Sequence, residues 1–483
     1  MRIAEVIVFI IYLIFLICIG IYFFMKSKTG GEKTYFLGGR QMGPWVSALS
    51  AGASDMSAWV LMGLPASIYS LGLGQAWIAI GLAIGYAISW IVEAPRLRRF
   101  SIIADDSITI PQYLTNRFKS SSKVLQIICA VIFIFAYTIY AASSMKACGT
   151  LFNTVLGVNE STAMYVAAAI IVAYTFLGGF SAVCWTDFFQ GLLMLGALLI
   201  APIFAMGLVN AGKGAADVAL PTGYWSLFSS WQDIVSGLGW GLGYFGMPHI
   251  IIRFMAVRSD KELKKSAGIG ITWDILILVF SVAAGCIGHL FMGEISDSST
   301  VFIQMVRTIF PGVISGILLS AILAASMSTA DSQLLASASA FASDVYKPVF
   351  RKNKATDQEM LWAGRFVVLA ISAVAVIIAA NPKSGTIMGL VGNAWGVFGA
   401  AFGPAILLSL FWKRFNFPGA VAGILAGAIV DILWLACLSS TGVYEIVPGF
   451  IAGLIAAVAV SLATKAPGKE VEELFDKAVA STD

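Results

Sequence analysis

The sequence contains very few charged residues. Asp, Glu, Lys and Arg make up only 12% of its 483 residues, whereas hydrophobic residues make up 59%. A soluble protein of this size has about 25% charged residues. Together with a mean hydropathy of +0.88, this shortage excludes an ordinary soluble domain.

The sequence also lacks the motifs on which familiar enzymes depend. It has no phosphate-binding glycine loop and no zinc, haem or flavin motif. Its six cysteines occur singly, without metal-ligand spacing, at Cys18, Cys129, Cys148, Cys184, Cys286 and Cys437. We therefore predict that the chain is not an enzyme. Any energy for its work must come from a gradient, or the protein is passive.

Long apolar runs are abundant, and most are long enough to cross a bilayer as a helix. Because they are continuous rather than alternating, they exclude a β-barrel. They predict an all-α polytopic membrane protein with about thirteen transmembrane helices. The runs lie near 3–25, 42–64, 73–93, 124–149, 161–179, 187–209, 234–255, 267–292, 311–345, 359–380, 384–412, 416–438 and 442–464.

Basic residues fall in alternate loops, which predicts the orientation of the chain. The loops 26–40, 94–123, 253–265 and 347–354, the pair Lys413 and Arg414, and the tail from 465 carry most of them. We expect an N-terminus outside the cell and a C-terminus in the cytoplasm, with the chain in the plasma membrane. The net charge of +4 reports this orientation and predicts no nucleic-acid partner. The first span lacks the cleavage site of a signal peptide.

The most unusual stretch runs from Ser50 to Trp59, in the middle of the second span. It places Gly52, Ser54 and Asp55 where a membrane helix should be apolar. An ionised Asp at that depth costs about 2.5–3.5 kcal/mol, and irregular backbone is tolerated only inside protein or beside a cavity. We interpret the stretch as a broken helix whose oxygens face a cation. The alternative is a small-residue packing face with a snorkelling Asp.

The seventh span is interrupted too. Residues 237–249 contain five glycines, Pro248 and His249, which do not form an undisturbed helix. The alternative is a glycine-rich contact between helices. Two breaks five spans apart predict an inverted repeat with the binding site between them. The predicted divisions are 1–41, 42–209 (first repeat), 210–412 (second repeat), 413–464 (peripheral helices) and 465–483 (tail).

The ninth span carries polar groups along one face. Ala325, Ser328, Thr329 and Ser332 follow a spacing of three, four and seven residues, so they share one side of a helix. Hydroxyl and carbonyl oxygens suit Na⁺. Hydroxyls that bond back to their own helix are the alternative.

These segments resemble the sodium/solute symporter family, over essentially the whole chain. The motifs that carry the resemblance are residues 37–40, 47–57, 61–65, 239–246, 248–249, 320–325 and 327–329. The resemblance implies a LeuT-like fold with a five-plus-five inverted repeat and extra peripheral helices. The proline branch of the family is the most similar, which implies sodium-coupled symport of L-proline by alternating access.

The resemblance also implies roles for individual residues. The sodium ion would be bound by the backbone carbonyls of Ala53 and Met56 together with Ala325, Ser328 and Thr329. The solute pocket would be lined by Ser57, Trp59, Tyr140, Trp240, Tyr244 and Pro248. Coupling and the ion route would involve Asp55, Asp187 and Arg40.

Some residues depart from the family pattern. Position 58 is Ala where Gly is familiar, and Asp274 is an unexplained carboxylate inside a span. Asp331 is a second acidic residue inside a span. Together with Ser332 and Asp187 it could form a second cation or proton site. Pairing of Asp331 with a basic residue near the cytoplasm is the alternative.

The choice of solute and ion leaves alternatives open. Proline is a compact zwitterion with an apolar ring, and the aromatic residues near both breaks suit it. The alternatives are another amino acid, a monocarboxylate or pantothenate, and a proton instead of sodium. A passive channel or a sensor is a further alternative, although the short tail after 464 offers no signalling domain. The sequence does not indicate an oligomeric state.

Overall fold

The computed structural model describes residues 2–26, 32–177, 179–215, 220–352 and 354–481, and these residues are almost entirely helical. Lys28, one of the predicted loop cations, lies outside the described residues. The principal helices are α1 (Ile3–Lys26), α2 (Pro44–Asp55), α3 (Gly63–Leu71), α4 (Leu73–Ile103), α5 (Val124–Leu156), α6 (Glu160–Leu177), α7 (Phe180–Leu208), α8 (Trp231–Trp240), α9 (Pro248–Ala256), α10 (Asp260–Met292), α11 (Gly312–Ser339), α12 (Asp357–Ala380), α13 (Ile387–Phe411), α14 (Phe417–Cys437), α15 (Ile446–Ala463) and α16 (Lys469–Ala480).

Every predicted span coincides with helix. By length and composition alone, ten helices in the described ranges are able to cross a membrane. The two interrupted spans are not among the ten, because each is divided into shorter helices. The all-helical membrane architecture is therefore confirmed, whereas the count of thirteen spans stays a prediction.

Both predicted breaks are present. The second span divides into α2 and α3, and the seventh divides into α8 and α9. Helix α2 lies at the centre of the molecule, where it packs against α7, α9, α10 and α11. Helices α14 and α15 pack mainly against each other and against α13, which agrees with a peripheral position. The boundaries of the two repeats stay a prediction.

Glycine brings α4 and α8 into contact backbone to backbone. A Cβ atom at Gly81 would lie 2.0 Å from the carbonyl oxygen of Gly237, and one at Gly85 would lie 2.2 Å from that of Gly241. The alternative interpretation of the seventh span, a close glycine contact, is thus also correct. The same residues form the contact and lead into the break.

Several arginines are not the exposed loop charges that the sequence suggested. The clearest correction concerns Arg253, which lies inside α9 with an exposed fraction of 2%. Arg40, Arg98 and Arg117 are also buried. Each donates hydrogen bonds to backbone carbonyl oxygens or carboxylates, which makes burial of the charge tolerable.

The contact between α4 and α8 predicts a sharp difference between two glycines. Gly85→Ala should lower the midpoint of thermal unfolding in detergent, because the new methyl group has no space and overpacking costs about 1–3 kcal/mol. Gly196→Ala in α7 is the matched control, since no atom lies within 4 Å of the point that a Cβ atom would occupy there. Equal midpoints for both variants would contradict the backbone contact.

Candidate functional site

The break after α2 releases backbone oxygens in the centre of the protein. Helix α2 ends at Asp55, and Ser57 is extended. The N–H of Ser57 donates to the carbonyl of Asp55 at 2.8 Å, so it does not close a helical bond to Ala53. The carbonyls at this helix end carry partial negative charge. They need partners from other helices or from a ligand.

Helix α11 supplies oxygen atoms directly opposite the break. The Ser328 hydroxyl lies 2.7 Å from the carbonyl oxygen of Ala53, to which it donates, and 3.3 Å from that of Ala325. The Thr329 hydroxyl is fully buried and has no hydrogen-bond partner among the described residues. Met56 lies at the break and is also fully buried. This set of neutral oxygens fits a monovalent cation such as Na⁺.

The Asp55 side chain points to the other broken helix. Its Oδ2 atom accepts a hydrogen bond from the Tyr244 hydroxyl at 2.5 Å, and Oδ1 has no hydrogen-bond partner among the described residues. Its backbone carbonyl accepts bonds from Trp59 Nε1 and from the Tyr140 hydroxyl, both at 3.3 Å. Asp55 therefore connects the break of α2 with α5 and with the segment between α8 and α9.

Aromatic rings cover the side of this region that faces the segment between α8 and α9. The ring centres of Trp59 and Trp240 lie 6.5 Å apart, and Tyr444 stacks on Trp240 at 4.9 Å. The backbone N–H of Trp59 reaches the Ser57 hydroxyl at 3.5 Å. A cavity of about 290 Å³ touches Trp240 and Tyr444. These surfaces suit a small ligand with an apolar body and an ammonium group.

The start of α9 completes this side of the site. Pro248 is the first residue of α9, and His249 follows it. The His249 ring contacts the Ser54 carbonyl through Nε2 at 3.1 Å and the Tyr137 hydroxyl through Nδ1 at 3.2 Å. Another carbonyl of the α2 end thus finds its partner on α9.

Asp187 and Ser332 belong to a separate cluster, which contacts α2 at Ser50, before the break. Arg253 approaches Asp187 Oδ2 at 3.2 Å and Ser332 Oγ at 2.6 Å. Ser50, on α2, donates to Asp187 at 2.7 Å. Asp331 is buried beside Ser332, whose hydroxyl lies 3.4 Å from Asp331 Oδ1. The Arg253 guanidinium between Asp187 and Ser332 disfavours a second cation at that point, and the role of Asp331 stays a prediction.

Arg40 does not join either group. It donates to Asp106 at 2.9 Å and to the Ser107 carbonyl at 2.8 Å, and it also bonds the Met255 carbonyl. These contacts join the segment before α2 to the chain after α4 and to α9. Arg40 thus has a structural position, and its predicted role in the ion route would have to be indirect.

Sequence reasoning missed three residues that the structure brings to the site. Arg253 resembled a loop charge, although its position one turn after His249 was a signal. Trp395 donates from Nε1 to the Trp240 carbonyl at 2.8 Å, and Tyr444 covers Trp240. Trp395 and Tyr444 lie in apolar runs where no local pattern distinguishes them from lipid-facing aromatic residues.

The chain is similar to known proteins over most of its length. The model of the sodium:solute symporter family matches residues 35–427. A high-affinity proline transporter, PutP, of Bacillus subtilis is 44% identical over 464 residues, which are 94% of this chain and 97% of the relative. The osmoregulated proline transporter OpuE of the same organism is 45% identical, over 96% of each chain. A sodium/proline symporter of Staphylococcus aureus is 44% identical over 97% of this chain and 94% of the relative.

Solved structures share the fold at lower identity. A Na⁺-coupled sialic acid symporter in an outward-open state superposes with a TM-score of 0.78 at 21% identity, covering 96% of this chain and 99% of the other. MhsT in complex with L-phenylalanine gives 0.56 at 14% identity, over 88% and 99%. The two broken helices are thus those of a LeuT-like core, and the chain belongs to the sodium:solute symporter family.

Proposed function

We propose that this protein imports L-proline into the bacterial cell together with sodium. The observation that carries the proposal is the junction at α2, where oxygens of Ala53 and Ser328 meet on one side and aromatic rings meet on the other. The names of the relatives, proline transporters and sodium/proline symporters at about 44% identity, support proline as the solute.

The proposed mechanism is alternating access. Sodium binds to Ala53, Met56, Ala325, Ser328 and Thr329 from the outside, which is the side at which α1 begins in the proposed orientation. The bound ion fixes the break of α2, and Asp55 transmits this to Tyr244 through their hydrogen bond. The pocket of Ser57, Trp59, Tyr140, Trp240, Tyr244 and Pro248 is then complete for proline. Such mutual dependence of two ligands is a coupling between sites.

The core of the proposed repeats 42–209 and 210–412 would then rock with both ligands bound at this junction. Sodium would then leave towards the cytoplasm past Asp187 and Ser332. One sodium ion is energetically sufficient. Roughly 100 mV supplies about 2.3 kcal/mol per charge, and a tenfold gradient supplies about 1.4 kcal/mol. The sum allows roughly 500-fold accumulation.

The first experiment is uptake of radiolabelled L-proline into proteoliposomes. We expect accumulation with an inward sodium gradient and none in the Asp55→Asn variant, because the neutral amide can still accept the Tyr244 hydroxyl but lacks the negative charge of Asp55. Vesicles with a pH gradient and no sodium gradient are the control. Equal uptake in those vesicles would transfer the coupling role from sodium to protons.

Ser328 is expected to set the affinity for sodium. Ser328→Ala should raise the sodium concentration for half-maximal uptake roughly tenfold to a hundredfold, since an interaction with a charged group is worth about 1.5–3 kcal/mol. Ser326→Ala is the matched control in the same helix, because the Ser326 hydroxyl bonds back to the Ile322 carbonyl. A similar shift in both variants would argue against a local ion site.

Trp240 is expected to set the affinity for proline. Trp240→Leu should raise the half-saturating proline concentration roughly twofold to thirtyfold, because a cation–π contact contributes about 0.5–2 kcal/mol. Trp362→Leu is the control, since this tryptophan of α12 is 57% exposed on the outside of the protein. An unchanged affinity for proline in the Trp240 variant would show that Trp240 does not line the proline pocket.

A further inference from the structure

Asp274 is a buried carboxylate that the proposed mechanism does not use. It lies in α10 and is fully buried. Neither of its oxygens has a hydrogen-bond partner among the described residues. A buried carboxylate without a donor or an opposite charge is costly. Such a carboxylate either keeps a proton or binds a ligand that the protein side chains do not supply, and its surroundings decide between the two.

Two contacts of α10 with the second span show where Asp274 lies relative to the break of α2. Trp273 packs on α2 so closely that a Cβ atom at Gly52 would lie 2.5 Å from its ring. Two turns further on, the Ser281 hydroxyl donates to the Val60 carbonyl at 2.6 Å. Asp274 lies seven residues before Ser281 on the same face of α10, so this face of the helix is directed towards the break of α2.

Further oxygen atoms face the same region. The Tyr86 ring lies 5.0 Å from the ring of Tyr244, which holds Oδ2 of Asp55. A Cβ atom at Gly270, one turn before Asp274 on the same face of α10, would lie 3.3 Å from the Tyr86 hydroxyl. That hydroxyl is buried and lacks a hydrogen-bond partner in the described ranges, as does Oδ1 of Asp55. Unpartnered oxygens of three side chains thus come from three helices.

The charges also favour a cation here. In the part of the chain that the structure describes, no Lys, Arg or His side chain forms an ion pair with Asp55 or Asp274. Asp187 differs, because Arg253 neutralises it at 3.2 Å. One sodium ion at Ser328 and a second beside Asp274 would balance the two unpaired carboxylates.

We propose that Asp274, Asp55 and Tyr86 bind a second sodium ion, at a site separate from the oxygens of Ser328. The site joins α10 and α4 to the break of α2. Both sodium ions would therefore contact the break of α2, the segment that the first ion orders. The inference rests on the proposed sodium coupling, but it does not depend on the identity of the solute.

Binding of radioactive sodium to the purified full-length chain, without proline, counts the sites. We expect about two ions per chain in the wild type and about one in Asp274→Asn, and the Hill coefficient for sodium in uptake should fall towards one. Ser328→Ala should weaken the other ion roughly tenfold to a hundredfold, so that its occupancy falls at the sodium concentration that just saturates the wild type. Asp431→Asn is the matched control, because Asp431 of α14 is equally buried, its oxygens also lack hydrogen-bond partners among the described residues, and it lies outside the site.

A second variant keeps the test decisive if Asp274→Asn does not fold. Tyr86→Phe retains both carboxylates, so it should still bind two ions, one of them severalfold more weakly. Wild-type sodium binding in both variants would overturn the proposal, and so would a wild type with a single ion whose binding Ser328→Ala weakens. A changed proton uptake in Asp274→Asn with an unchanged sodium count would assign the site to a proton instead. Two bound sodium ions without proline uptake would reject the solute and leave this site standing.

Discussion

The hydrogen bond from Ser328 to the Ala53 carbonyl is the interaction on which the rest of the structure depends. A helix that stops in the middle of a membrane leaves backbone groups that lipid cannot satisfy. Here, different helices take up successive carbonyls, with Ser328 on Ala53, His249 on Ser54 and Tyr140 on Asp55. A hydroxyl that donates in this way keeps lone pairs for a cation. In the proposed sodium site, the same atoms would therefore satisfy the backbone and bind the ion.

The side chains around the break separate charge into two layers. Asp187 lies beside Ser50 of α2 and is neutralised by Arg253. One turn later, Asp55 has only the Tyr244 hydroxyl as its side-chain partner among the described residues. The layer with a fixed internal cation is suited to structure. The layer with unpaired carboxylate oxygens is suited to a mobile cation. This difference separates Asp187 from Asp55 and Asp274, although all three are equally buried.

The fold and the breaks were predictable, and the partners were not. Polar residues around Asp55 and glycines around Tyr244 violate the pattern of an apolar span, so the interruptions could be located from the sequence. The common face of Ala325, Ser328, Thr329 and Ser332 could be predicted too, because their spacing is that of one side of a helix. Arg253, Trp395 and Tyr444 could not be assigned, because their importance comes from contacts between segments that are far apart in the chain. Arg40 matched a motif, yet it binds Asp106 and not the ion site.

The glycine contact between α4 and α8 has a mechanical consequence. Backbone atoms have no rotamers, so an interface made from them cannot adjust by rearranging side chains, and it either stays closed or separates entirely. Helix α4 belongs to the first proposed repeat and α8 to the second. The backbone contact between them therefore holds the two repeats at a fixed distance along this line. We expect rocking of the core to pivot about this line, with the largest displacements where α2 meets α11 through side chains such as Ser328.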